Sequence, residues 1–258
     1  MQLEDARTSV TVDLVDRVLP LCRFPVQSLL LIGSVAEGLA NEFSDIDLLA
    51  IVKQTRSRTR INEEGFYLDD RPVSILYITE SALRRRLRQL DQLYIDGGHL
   101  TDGTVTRLAS ARVLFDPEGI GERIVAAARR FVPRKDTLRE MMRIAFGFLN
   151  DAVGSRAAGD FSTAAIMARA GASVAIDCCL LQQGERNLKP KWHLRRLARV
   201  GETGVLSSYL KVLGLDALSE DMTDDLISDT GRLMCTVLDV PSLDQFQDSQ
   251  MFSRQAGQ

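Results

Sequence analysis

The 258-residue chain is poor in the residues that build metal clusters and disulfide frameworks. It has two histidines, His99 and His193, and four cysteines. Cys22, Cys178, Cys179 and Cys235 contain no CxxC pair, which leaves too few ligands at workable spacing for a structural zinc site. An excess of positive charge is also missing. Against 32 Lys and Arg stand 35 Asp and Glu, a net charge of −3, whereas a chain that tracks a polyphosphate backbone is expected to be basic. Nucleic acid is therefore disfavoured as a partner. Basic residues do gather locally, at Arg84-Arg85-Arg86-Leu87-Arg88 and from Lys189 to Arg199, which suggests local contacts with anions. The N-terminus lacks the charged-then-apolar pattern of a signal peptide, and no apolar stretch is expected to reach membrane-spanning length. Unpaired cysteines suit a reducing compartment, so the expectation is a soluble cytoplasmic protein with no membrane contact.

What is present is ordinary globular material, 45% hydrophobic and 26% charged, in a chain long enough for one large or two modest domains. The two halves differ in texture. In the first, short runs rich in β-formers alternate with turns. Val26 to Ile32 and Ile46 to Val52 are apolar on both faces, the mark of buried central strands. Between them Val35 to Leu39 forms a short helix and Asn41 to Ser44 a polar turn. Gly65–Leu68 and Val73–Ile78 predict a hairpin around Asp69-Asp70-Arg71-Pro72, with the proline where a strand tolerates it. Ser81 to Leu93 has helical spacing, with Ser81 as its cap, and Ala109 to Phe115 is a last extended segment. From Ile120 onward the signals are helical: Ile120–Val132, Thr137–Ala157, Ser162–Gln183, His193–Val200, Leu206–Leu213 and Thr223–Leu238. Long amphipathic helices with short connections predict an antiparallel bundle. The expected organisation is residues 1–118 as an α/β domain, 119–245 as a helical substrate-binding bundle and 246–258 as a frayed tail.

One constellation carries chemistry. Alternation along a strand puts Asp45 and Asp47 on one face and Ile46 and Leu48 on the other. Two neighbouring carboxylates repel unless a cation sits between them, and Mg2+ suits such a pair because it takes one or two carboxylates together with substrate phosphates. Just upstream, Gly33-Ser34 stands where a buried strand turns into a helix. There glycine permits close backbone approach, the helix start presents free N–H groups to an anion, and the Ser34 hydroxyl can donate to a phosphate. An anion cradle beside a cation clamp suits nucleoside triphosphate chemistry, in which metal neutralises charge and catalysis rests on positioning.

Gly33-Ser34-Val35-Ala36-Glu37-Gly38 followed by Ser44-Asp45-Ile46-Asp47-Leu48 resembles the nucleotidyltransferase pattern of the DNA polymerase β superfamily, and within it the aminoglycoside nucleotidyltransferase-like subgroup. The resemblance covers about the first 120 residues, and Arg112 to Gly119 is similar to the close of that domain. It implies an α/β (α+β) nucleotidyltransferase domain with a mixed sheet, followed by an all-α helical bundle. It further implies transfer of AMP from ATP to a hydroxyl of a small-molecule acceptor, dependent on Mg2+ and releasing pyrophosphate. Asp45 and Asp47 would be the catalytic metal ligands, with Gly33, Ser34 and Ser44 at the nucleotide. The pattern departs from the family at one place. A third acidic residue is expected on a later strand, and Ser74 holds that position. Asp70 would sit roughly 13 Å away along the strand at ~3.3 Å per residue, out of reach without a register change. The base would then come from elsewhere, for example Asp151 or Asp177, or a single cation would suffice, or the protein would bind nucleotide without turning it over. A toxin-type enzyme that modifies a protein or RNA is the remaining alternative.

In the helical half, Asn187-Leu188-Lys189-Pro190-Lys191-Trp192-His193 leads from a Lys- and Pro-rich turn into a helix. Lys191 near that helix start is expected to meet the triphosphate, and a Lys-Trp here is similar to the subgroup. Trp192 packed as core beside a solvated basic helix start is the alternative. His99 between glycines, and Arg169 with Asp177 on one helix face, are weaker candidates. No Arg precedes either histidine at the spacing of HEPN-type RNases, which disfavours RNase activity.

Overall fold

The computed structural model describes residues 14–54, 62–97 and 103–215. Five strands form one mixed sheet in the order β3-β4-β2-β1-β5. They are β1 (Val26–Ile32), β2 (Ile46–Val52), β3 (Asn62–Leu68), β4 (Arg71–Thr79) and β5 (Arg112–Phe115). β1 is antiparallel to β2 and to β5, β3 is antiparallel to β4, and β2 runs parallel to β4. The doubly apolar runs are central strands, as their pattern predicts. Leu29, Leu31, Leu48, Ala50, Val52, Val73, Ile75 and Tyr77 make a core on one face, while Leu30, Ile32, Leu49, Ile51, Leu76 and Ile78, which alternate with them, are also buried. Mixed pairing with helices beyond the sheet is the expected fold class.

Local chemistry shifts several boundaries. The hairpin turn is two residues, Asp69 and Asp70, both with positive φ (49° and 61°), so β4 begins at Arg71 and takes in Pro72. Asp tolerates this left-handed conformation and a two-residue turn of this hand matches strand twist. Arg17 locks the turn with a bidentate pair to Asp69 at 2.6 and 2.8 Å. The next helix is α2 (Glu80–Arg88), and Thr79 caps it in place of Ser81: the Ala82 N–H donates to Thr79 Oγ1 at 3.3 Å. α3 (Leu90–Ile95) follows as a separate helix. The segment expected as extended from Ala109 starts with a 3₁₀ turn at Leu108–Ser110 before β5. α4 (Ile120–Arg129) begins where Asp116 accepts from the N–H groups of Gly121 and Glu122 at 3.0 and 2.9 Å.

Two long helices, α5 (Lys135–Ala157) and α6 (Phe161–Gln182), pack extensively on each other, joined by a turn in which Asp160 caps α6 through the Thr163 N–H at 3.0 Å. Contrary to the sequence reading, α6 is by length and composition apolar enough to cross a bilayer, with a mean hydropathy of 1.6. Its buried residues include Asp177, bound to His193 at 2.7 Å, which fits a helix packed inside a protein. α7 (His193–Arg199) packs on α6. The compact unit that holds the sheet runs on to Thr203, through the expected boundary at Asp116–Gly119, and a second unit starts at Gly204. The described part of that second unit is residues 204–215, which hold all of α8 (Thr203–Leu213) after its first residue. The predicted helix at residues 223–238, the tail from Phe246, Cys235 and His99 lie outside the described residues.

A short helix between β1 and β2, α1 (Gly33–Glu37), ties the sheet to the helical segment. Gly38 closes it in the left-handed conformation, φ 70°. The Glu37 side chain is 2% exposed and accepts from Arg196 Nη2 at 2.6 Å, Arg196 itself being fully buried. Asn187 Nδ2 donates to the other Glu37 oxygen, also at 2.6 Å. Removing one member of a buried ion pair costs about 3–5 kcal/mol, and Glu37 is the nearer of two carboxylates at Arg196, Glu185 lying at 3.5 Å. Glu37→Ala is therefore expected to lose about that much stability in urea unfolding followed by circular dichroism. A loss below about 1 kcal/mol would show that the pair is not what joins the two parts.

Candidate active site

The register of three strands assembles the site. Ile32 at the end of β1 pairs with Asp47 on β2, and Asp47 pairs with Ser74 on β4. Ser74 thus stands beside Asp47, with its Oγ at 3.5 Å from Asp47 Oδ1, at the position where a third carboxylate was expected. No register change brings Asp69 or Asp70 there, since both occupy the hairpin turn. Asp45, one residue before β2, is exposed, and its charge is close enough to Asp47 to disfavour ionisation of that carboxyl. The two predicted carboxylates do converge.

Gly33 has a sharper role than ligand approach alone. Its φ is +75°, and a Cβ built there would lie 2.1 Å from Asp47 Oδ2. Asp47 is seated on the bare Gly33 backbone, so the glycine is required by a neighbouring side chain of the same protein. Ser34 is buried beside it. Ser44 is engaged in its own turn: its hydroxyl donates to Asn41 Oδ1 at 3.0 Å and accepts from the Asn41 N–H at 2.9 Å, while its carbonyl accepts from Arg71 at 3.1 Å.

Two cations face the carboxylates, and the sequence singled out neither. Arg107 Nη1 lies 3.3 Å from Asp47 Oδ1, both side chains being mostly buried, and Arg107 Nε is held by the Gly103 carbonyl at 3.2 Å. Lys189 is half-buried. Burial first, then repulsion by Arg107 and Lys191, lowers its pKa, while attraction to Asp47 and Asp45 works against that. Lys189 thus lies nearer the aspartates than the predicted Lys191 does in electrostatic terms. Lys191 is exposed and stacks on Trp192, 5.1 Å from the ring centre, with Arg195 on the same ring at 5.2 Å. Local sequence could not reveal Arg107: it follows a segment without periodicity, and only the tertiary fold brings its turn to β2.

The loop that carries Lys189 is fixed along its length. Asn187 reaches Glu37, the Leu188 carbonyl lies 3.1 Å from His193 Nε2, and Tyr94 Oη donates to the Arg186 carbonyl at 2.8 Å. Arg186 donates to the Phe131 carbonyl at 2.7 Å. Asp177 is buried against His193, so it serves this loop and is not at hand as a base for the aspartate pair. Asp151 is exposed on α5. Arg169 is exposed where Asp177 is buried, so the two do not share one environment. Arg84 pairs with Glu80 at 2.6 Å within α2. A cavity of about 350 Å³ lies among α3, α5 and α6, walled by Tyr94, Met141, Phe148, Val174 and Asp177.

The donor set fits one divalent cation. Asp45 and Asp47 supply two carboxylates, and Mg2+ commonly takes its other ligands from substrate phosphates and water. Among the described residues no group of three or more His, Cys, Asp or Glu side chains converges, so a second cation has no protein cage. Burial pushes the Asp47 carboxyl up, the Asp45 charge adds to this, and Arg107 and Lys189 oppose it. A carboxyl whose pKa is higher in the folded than in the unfolded protein adds stability at low pH, and that contribution is lost as pH rises through its folded pKa. Asp47→Asn is therefore expected to gain stability over the parent as pH rises from about 3.5 to 7, read as urea midpoints. A gap that is constant across the range would contradict the burial argument.

Residues 17–96 match the family model described as the nucleotidyltransferase domain. No curated protein matches the chain. Among solved structures it is similar to a nucleotidyltransferase-like protein from Exiguobacterium sibiricum 255-15, with 16% identity over 83% of this chain and 68% of that one and a TM-score of 0.44. The matched residues run from Arg17 through the Gly33-Ser34 turn, both aspartates and Ser74 to the end of α3. Over residues 17–96 the chain carries a nucleotidyltransferase domain.

Proposed function

We propose that the protein transfers a nucleoside monophosphate, AMP from ATP, to a hydroxyl of a small-molecule acceptor. The observation that carries this reading is the Asp45/Asp47 pair, with Asp47 seated on Gly33 and paired with Arg107 and with Lys189 in electrostatic reach, in a chain whose residues 17–96 are a nucleotidyltransferase domain. In the reaction the acceptor oxygen bonds to the α-phosphorus, the bond from that phosphorus to pyrophosphate breaks, and the acceptor proton is lost to solvent. Arg107 and Lys189 hold the triphosphate, with the Gly33-Ser34 turn against it and Lys191 at the rim. A divalent cation bound at Asp45 and Asp47, Mg2+ in this reading, supplies charge neutralisation at the transferring phosphoryl group. The apolar cavity beside Asp177 is the place proposed for the body of the acceptor, because His193 links its wall to the Lys189 loop. The sequence resemblance to the aminoglycoside-modifying subgroup supports a small hydroxylated acceptor, and free thiols at Cys22, Cys178 and Cys179 support a reducing, cytoplasmic setting.

One observation favours a second reading. Ser74 pairs with Asp47 where a third carboxylate would activate the acceptor, which suits a protein that binds nucleotide without turning it over. Purified protein with Mg2+, ATP and a panel of hydroxylated acceptors decides between them through pyrophosphate release. Transfer predicts release that falls by about 10³-fold or more in Asp47→Ala, with Lys189→Ala raising the KM for ATP. Full turnover by Asp47→Ala would refute the assignment of the site. Tight ATP binding with no release from any acceptor would select the second reading.

A further inference from the structure

Asp45 and Asp47 carry two negative charges, and Arg107 and Lys189 bring two positive charges to the same place. The four groups neutralise one another before any ligand arrives. Arg107 is specific in this: it touches Asp47 Oδ1, an oxygen a metal ion would take, and its Nε is tied to the Gly103 carbonyl. Asp47 Oδ2 is turned toward Gly33. A cation approaching alone must therefore displace a guanidinium from a mostly buried carboxylate, and the displaced Arg107 would be left beside Lys189 with no anion. A triphosphate removes both difficulties, because its oxygens are better partners for guanidinium and ammonium than one shared carboxylate.

We propose that Arg107 is an internal counter-ion that is exchanged when nucleotide binds. The triphosphate takes over Arg107 and Lys189, which frees Asp45 and Asp47 for the divalent ion. This rests on the reading of the site as a nucleotide site. Cation and nucleotide are then coupled ligands, each raising the affinity of the other by the same factor. Free divalent ions load the site only weakly, and the cation–nucleotide complex loads it well. Arg107 is thus a counter-ion to Asp47 in the free protein and a triphosphate ligand in the loaded one.

The test uses the full-length protein and Mn2+, whose free ion is counted by electron paramagnetic resonance, with and without an ATP analogue carrying a methylene bridge between its α- and β-phosphates. The parent is expected to bind Mn2+ weakly alone and at least about tenfold tighter with the analogue, within the usual range of such couplings. Arg107→Gln is expected to bind Mn2+ alone about tenfold tighter than the parent and to lose most of the coupling. Arg107→Lys, which keeps a cation, should remain close to the parent, and this separates charge from any change in folding. Equal Mn2+ affinity of Arg107→Gln and the parent, with binding abolished by Asp47→Asn, would overturn the exchange while leaving the site standing. Mn2+ and analogue binding that Asp47→Asn does not alter would overturn the exchange together with the nucleotide-site reading beneath it.

Discussion

The buried Glu37 carboxylate is the point on which the rest of the site depends. It closes the helix that begins at Gly33, and it reaches across to Arg196 and Asn187 in the helical segment. A buried ion pair is poor evidence for stability in itself, because desolvation consumes most of the Coulomb attraction, but it is intolerant of misplacement. Any rotation of the helical segment that separated Glu37 from Arg196 would leave the buried Glu37 carboxylate without its nearest cation, while Arg196 would keep only Glu185 at 3.5 Å. The pair therefore specifies one arrangement. In that arrangement Asn187 lies against α1, and Lys189, two residues on, comes within electrostatic reach of Asp45 and Asp47.

Around this link the protein spends further polar contacts on a nine-residue loop, from Gly184 to Trp192. Tyr94 and Arg186 fix its start, while His193 with Asp177 fixes its middle. Their common effect is to fix the backbone that carries Lys189, and ordering one residue's backbone costs about 1–2 kcal/mol. Arg107 is prepared in another way, through the Gly103 carbonyl within its own turn. The acidic side is held by the strand register.

The acidic side shows how fully a strand can specify geometry. Asp47 pairs with Ile32 and with Ser74 in a sheet buried on both faces, where a slip of one residue would move every packed side chain to the opposite face and into a differently shaped core. The same constraint makes Ser74 a fact of the site and keeps Asp69 and Asp70 in their turn. It also explains the bare backbone at Gly33, because in this register Asp47 occupies the space a Cβ would need.

Local pattern alone determined the sheet strands, the short helix after Gly33, the two long helices, and the pairing of Asp45 with Asp47, because burial periodicity and turn chemistry act over a few neighbouring residues. It misplaced what depends on a single hydrogen bond, such as the cap at Thr79 in place of Ser81 and the two-residue turn at Asp69-Asp70. The partners of Asp47 and Glu37 were decided only in three dimensions. Arg107 stands 60 residues from Asp47, Lys189 lies 142 residues from it, and Arg196 is 159 residues from Glu37. No periodicity links positions so far apart. Electrostatic contacts of this kind are set by packing, which brings distant charges together and removes the water that would otherwise screen them.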